Sequence, residues 1–298
     1  MPGVTAGAGL GDPVVPTLIR ALALCALLAA GAAPAAEAVQ LVAQAPVMAG
    51  LATFPRLAPG MPQAARINAA LATADARVRT AVEECRAVAR GSAADPATTG
   101  WTRSIAIAMQ GPRYLALVAD DYFYCGGPYP NAERFALVYD LHTGLPPNWP
   151  RLLPKTLVRT HLIEAAFDAT PLGMVDSPAL KSIYLAAVQG AAAKLDPGCP
   201  ATLQQLAGPF MFWPDAQQGG IAVQPSRLAH AAAACGMPVT ISVAALRRLG
   251  VNPALLDAVG AAHRAGRGIN GPLIGTLTGT LTGALTGPTR PARQFPGR

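Results

Sequence analysis

The sequence predicts an α+β fold in which an antiparallel sheet packs against helices, arranged as two lobes and held by two disulfides. Three observations carry this expectation. Segments with strand patterning and segments with helix patterning are grouped rather than alternating, as they are in α+β folds. Successive strand segments are separated by tight Gly/Pro turns, which makes neighbours antiparallel. Beyond the amino-terminal apolar stretch the cysteines number four, Cys85, Cys125, Cys199 and Cys235, and an even count reads as disulfides in an oxidising compartment.

The amino terminus carries the compartment argument. From Leu18 to Ala33 the residues are apolar apart from Arg20, and one positive charge ahead of a short apolar segment is the layout of a secretory signal. Pro34 ends the segment, and Ala36-Glu37-Ala38 supplies the small residues that signal peptidase accepts. Residues 1–38 are therefore expected to be a signal peptide cleaved after Ala38, with the mature chain periplasmic or secreted. The apolar run is shorter than the roughly 20 residues a spanning helix needs, so no stable membrane span is expected after cleavage.

Charge narrows the function classes. The full chain has 23 Lys and Arg against 16 Asp and Glu. No acidic residue follows Asp257, whereas Arg264, Arg267, Arg290, Arg293 and Arg298 all do, so the basic excess is largely a property of the carboxyl terminus. Basic and aromatic residues are not interleaved, and the footprint of a nucleic-acid binder is missing.

Residues 39–150 form the expected first lobe. After the Pro-rich stretch from Pro55 to Pro62, Ile67, Leu71, Ala74, Val78, Val82, Cys85 and Ala89 recur at intervals of three and four, an amphipathic helix with Cys85 on its apolar side. Trp101 to Gln110 alternates large and small residues, Gly111-Pro112 turns the chain, and Tyr114 to Tyr124 returns, which is a β-hairpin. A third strand, Arg134 to Leu141, follows a Gly/Pro/Asn loop. Residues 151–265 form the second lobe, with helices expected over Pro154 to Ala166 and Ser177 to Leu195. Short strands at Pro209 to Trp213 and Gly220 to Val223 come next, then a helical turn from Ser226 to Ala234, a strand at Pro238 to Ser242, and helices from Val243 and Pro253. Residues 266–298 read as a low-complexity basic tail with Gly275, Gly279, Gly283 and Gly287 every four residues.

Of the three possible cysteine pairings, Cys85 with Cys125 and Cys199 with Cys235 keeps each bridge within one lobe. No pair of cysteines has zinc-site spacing, and neither a metal nor a cofactor is expected. His142, His161, His230 and His263 include no His-Glu-x-x-His spacing, and no serine sits in Gly-x-Ser-x-Gly, so no catalytic centre is read. Asp120 and Asp121 are neighbours on a strand and face opposite ways, which makes them solvated edge carboxylates rather than an acid pair. Asp140 and His142 share a side at a strand end, where a turn-capping aspartate is the commoner arrangement. Tyr122, Phe123, Tyr124 and Tyr129 gather beside Gly126-Gly127, with Tyr129 the best placed for a contact surface because it lies in the loop.

Taken in order, the helix with Ile67-Asn68, the hairpin, the loop Cys125-Gly126-Gly127-Pro128-Tyr129-Pro130-Asn131, the turn Tyr139-Asp140-Leu141-His142-Thr143-Gly144, and the closing Phe212-Trp213-Pro214-Asp215, Ala234-Cys235-Gly236 and Val239-Thr240-Ile241 make a pattern. It resembles the extracytoplasmic domain shared by RsiV-type, lysozyme-sensing anti-sigma factors and PdaC-type peptidoglycan deacetylases, over roughly residues 60–255. The resemblance implies a binding or sensing module whose partner is a lysozyme-type muramidase or peptidoglycan, with Gly126, Gly127, Tyr129 and Asp140 in the binding surface. Two departures follow from the residues. Tyr129 stands where the family loop usually has histidine, which removes any role needing an imidazole, and no deacetylase catalytic domain accompanies the pattern. The competing functions are an exported hydrolase with an unrecognised site and a structural periplasmic protein that uses its basic tail on anionic polymers.

Overall fold

The apolar stripe that starts at Ile67 winds into helix α1 (Ala64–Arg90), whose buried side is made by Ile67, Leu71, Ala74, Val78, Val82 and Cys85. In this computed structural model the described residues are 39–92, 95, 98–190, 198–205, 208–226, 228, 230–233 and 235–268. The expected signal peptide, the expected helical residues beyond Gly190, and the tail from 269 onward lie outside them. Before α1, strands β1 (Leu41–Val42) and β2 (Arg56–Leu57) form a two-stranded antiparallel sheet.

Three long strands follow as an antiparallel sheet in the order β3 (Gly100–Gln110), β4 (Tyr114–Tyr124), β5 (Asn131–Asp140). Alternation sorts their side chains between two faces. Trp101 and Phe123 lie on the face that meets Val78, Val82 and Cys85 of α1. A bulge between Ile107 and Met109 shifts the pairing of β3 against β4.

The second half departs most from expectation between Pro154 and Asp176. Pro154 to Ala166 is not a helix: a single 3-10 turn at Lys155–Leu157 leads into strand β6 (Thr160–Ala165), which pairs with β7 (Pro171–Asp176). Local periodicity loses there to ladder bonding. The reversal is closed by the Asp168 carboxylate accepting the Thr170 N–H at 2.9 Å, with Ala169 at φ 60°. After the short helix α2 (Trp149–Leu152), the remaining elements are α3 (Pro178–Gly190), α4 (Cys199–Gln204), β8 (Phe210–Asp215), β9 (Gly220–Pro225), α5 (His230–Ala233), β10 (Val239–Ser242), α6 (Val243–Arg248) and α7 (Pro253–Arg264). Five strands make one antiparallel sheet ordered β10-β9-β8-β7-β6.

The two larger sheets share one core. Ile105 and Phe135 from the first, Met174, Phe210 and Val223 from the second, and Leu255 and Val259 from α7 belong to a single buried cluster. Past α7 the main chain stays docked: Arg267 N–H donates to Ala262 O at 2.9 Å and Gln110 N–H donates to Arg267 O at 3.0 Å. The tail boundary expected at 266 thus falls inside a segment packed against the end of β3. Among the described residues, no helix is long and apolar enough to cross a membrane.

Two disulfides brace this core. Cys85 joins Cys125, tying α1 to the end of β4, and Cys199 joins Cys235, tying α4 to the turn after α5. Bonds of this kind mark a chain exported to an oxidising compartment. Sequence separations of 40 and 36 residues correspond to about 4 kcal/mol each in the loop-closure account. Replacing Cys199 and Cys235 together by serine should lower the unfolding free energy in urea by about that amount, and a loss under ~1 kcal/mol would contradict it.

Candidate binding surface

The loop after β4 is held from two sides. Cys125 is bonded to Cys85 near the end of α1, and Gly126 has φ 85° with Ser92 and Ala89 so close that a Cβ would run into the Ser92 side chain. Only glycine fits such a position, both for its conformation and for its clearance. Gly127, Pro128 and Tyr129 project beyond this anchor, and Tyr129 is 63% exposed. Strand alternation sorts the aromatic run beside it. Tyr122 is 54% exposed, whereas Phe123 is buried, stacked on Trp101 at 4.3 Å and met edge-on by Phe167 at 4.6 Å.

Asp140 has a different role. Its Oδ1 accepts the His142 N–H at 2.9 Å, its Oδ2 accepts Arg113 Nη2 at 2.7 Å, and its carbonyl accepts the Gly144 and Thr143 N–H groups. Arg113 Nη1 also reaches His142 Nδ1 at 2.9 Å. Those bonds tie the carboxylate to its own turn and to Arg113 of the β3–β4 turn, and the residue is 9% exposed. Among the described residues no cluster of His, Cys, Asp and Glu could hold a metal ion. The Tyr129 loop and the Asp140 turn also sit at opposite ends of β5, on the order of 30 Å apart at a strand rise of about 3.3 Å per residue. Gly126, Gly127 and Tyr129 are brought together; Asp140 is not brought to them.

Asp120 and Asp121 do face opposite ways. Asp120 pairs with Arg134 at 2.6 Å in a partly exposed setting. Asp121, expected at a solvated edge, is buried, and this corrects that expectation. Arg103 grips it with two bonds, Nε to Oδ1 at 2.6 Å and Nη2 to Oδ2, and Nη2 also donates to Asp168 Oδ2 at 2.7 Å. Phe54 and Phe135 flank the guanidinium at 5.8 and 5.2 Å, a favourable ring-to-cation geometry. Arg103 comes from β3, Asp121 from β4 and Asp168 from the β6–β7 turn, so the triad clips that turn onto the first sheet. Glu133, opposite Asp121 on β5, adds a second clip by accepting the Phe167 N–H at 2.8 Å.

This cluster escaped the sequence reading for a geometric reason. Counted outward from the Gly111-Pro112 turn in the register of Gln110 opposite Leu115, Arg103 would face Tyr122; the bulge after Ile107 moves it opposite Asp121. The turn itself had a signal, since Asp168-Ala169-Thr170-Pro171 is an aspartate able to bond the main chain two residues on, just ahead of a proline.

Electrostatics follow from burial. Burial opposes the charge on Arg103, yet the hydrogen bond and charge of Asp121 and the charge of Asp168 outweigh it and raise its pKa. Glu133 is pushed up from 4.5 to about 7, chiefly by burial and further by the nearby Asp121 and Asp168, against the opposing Phe167 N–H bond. No family model matches the chain, and no curated protein matches it.

Two outcomes follow for the cluster. Arg103→Met leaves Asp121 and Asp168 buried without their cation and should cost about 3–5 kcal/mol in chemical denaturation; a loss within 1 kcal/mol would show the triad to be dispensable. Glu133 holds its proton in the folded chain between pH 4.5 and about 7, where the unfolded chain has lost it, so its share of stability falls as pH rises through that window. Glu133→Gln should therefore flatten the stability-versus-pH curve between pH 5 and 8, and an unchanged slope would contradict the assignment.

Proposed function

We propose that this chain is an exported binding module of the cell envelope. On this reading it is delivered by the amino-terminal signal and engages a lysozyme-type muramidase or peptidoglycan through the Tyr129 loop. One observation carries the reading: Tyr129 stands out into solvent from a loop pinned by a disulfide and by a glycine with no room for a side chain. A rigid mount lowers the entropy lost on binding, and exposed tyrosine is a favoured interface anchor. Tyr122, exposed at the same end of the sheet, extends the aromatic surface. The resemblance of the Cys125–Asn131 loop to the lysozyme-sensing domains supports the partner class, and the disulfides support the compartment.

Retention of the purified chain on immobilised muramidases and on insoluble cell wall tests the proposal. Binding to one of them should weaken about 5–30-fold with Tyr129→Ala, equivalent to about 1–2 kcal/mol, while Tm shifts by no more than a couple of degrees, as for an exposed surface residue. No retention on either material, or retention indifferent to Tyr129, would defeat it.

A further inference from the structure

A cavity of about 660 Å³ lies along the outer edge of β5, far from the Tyr129 loop. That volume lies within the range of sites that take small ligands. One wall is α1, which presents Arg66, Ala70, Ala74 and Arg77 in a row, so the small alanines open the space between two arginines. Trp149 and Phe212, with ring centroids 5.7 Å apart, lie at its base. Opposite stand Ile163 and Leu145, 68% and 52% exposed, apolar side chains that the fold leaves uncovered.

The β5 wall is main chain as well as side chain. Among the described residues no strand pairs with its outer side, where only the Asp140–Leu145 bridge forms. Ala136 N–H points outward to Met211 Sδ at 3.2 Å, and Asp140 N–H points outward to Leu145 O at 2.9 Å. Alternate residues of an antiparallel strand present N–H and C=O on the same side, so Val138, between those two, turns both groups toward the cavity it lines. That donor and acceptor on one residue match one residue of an extended peptide.

Charge selects among peptides. No Asp or Glu is among the described residues that line the cavity. Arg66 uses Nη1 on Thr143 O at 2.8 Å, and the half-buried Arg77 has no ion pair or hydrogen bond among the described residues. The two arginines are eleven positions apart on a helix rising about 1.5 Å per residue, roughly 16 Å, which an extended chain covers in about five residues. The geometry points to a second binding site, independent of the Tyr129 loop, that takes an extended peptide with acidic residues about five positions apart and apolar residues between them. The central residue adds to the edge of β5 at Val138, the carboxylates meet Arg66 and Arg77, and the apolar side chains rest on Trp149, Phe212 and Ile163.

The test uses the purified chain and a fluorescein-labelled, acetylated and amidated hexapeptide library with Glu at both ends and Val, Leu, Ile, Thr or Ala between. Saturable anisotropy is expected, at least 10-fold weaker with Lys at both ends or with the central amides N-methylated. Arg77→Glu should reverse the preference between the Glu and Lys libraries, with Arg77→Ala, which only removes the charge, as a second variant in case the reversed charge perturbs folding. Failure of the Glu library to saturate overturns the proposal, as does equal binding of the Lys library. Equal binding of the N-methylated peptides, or displacement by decanoate at the same concentration as by unlabelled peptide, would make the cavity a site for amphiphiles and would also overturn it.

Discussion

A buried cation organises this protein. Arg103 is held by Asp121 on the neighbouring strand and by Asp168 from a turn that reaches in from the other sheet. Charges placed in a low-dielectric interior are stable only when paired and hydrogen-bonded, and stripping one partner from such a group costs far more than an exposed ion pair is worth. The β6–β7 turn consequently has one low-energy position, with Phe167 against Phe123 and Glu133 bonded to the turn's own main chain. That position sets where Thr170 to Gly173 and Ile163 stand, and those residues form the far side of the β5-edge cavity. Hydrophobic packing supplies most of the stability of such a core. The ion triad supplies its register.

Much of the scaffold was legible because it is local. The Ile67-to-Ala89 stripe, the Gly111-Pro112 turn and the alternation on either side of it lead directly to α1, β3 and β4, and the even cysteine count leads to the two bridges seen. What escaped depends on distant partners. Thr160 to Ala165 carries apolar residues at a spacing that suits a short helix, and only pairing with β7 makes it a strand. Asp121 looks like any edge carboxylate until a bulge four residues beyond Arg103 brings that arginine opposite it. The cavity was invisible for the same reason, since its walls come from α1, β5, β6, β7 and α2.

The candidate site was legible in half. Glycines and an aromatic in a loop next to a cysteine point correctly to an anchored, exposed segment, and Tyr129 is in it. Asp140 was expected in the same binding surface, but its carboxylate is spent on Arg113 and on its own turn. Its contribution is to shape the bend that brings Gly144 against Gln63 and Arg66, which closes one end of the cavity. The two ends of β5 thus carry distinct features of one sheet, an exposed aromatic loop and a cavity bordered by two arginines.

Native-state hydrogen exchange on the β6–β7 turn tests the role of the Arg103 triad most directly. Thr170 N–H donates to Asp168 Oδ1, and Ala166 N–H donates to Thr170 O. If the triad locks this turn into the core, both amides should exchange only by large-scale unfolding, as slowly as that of Leu117 at the centre of β4. Exchange at the near-unprotected rate of an ordinary surface loop, with β4 still protected, would show that the turn opens freely and that the triad does not hold the two sheets in register.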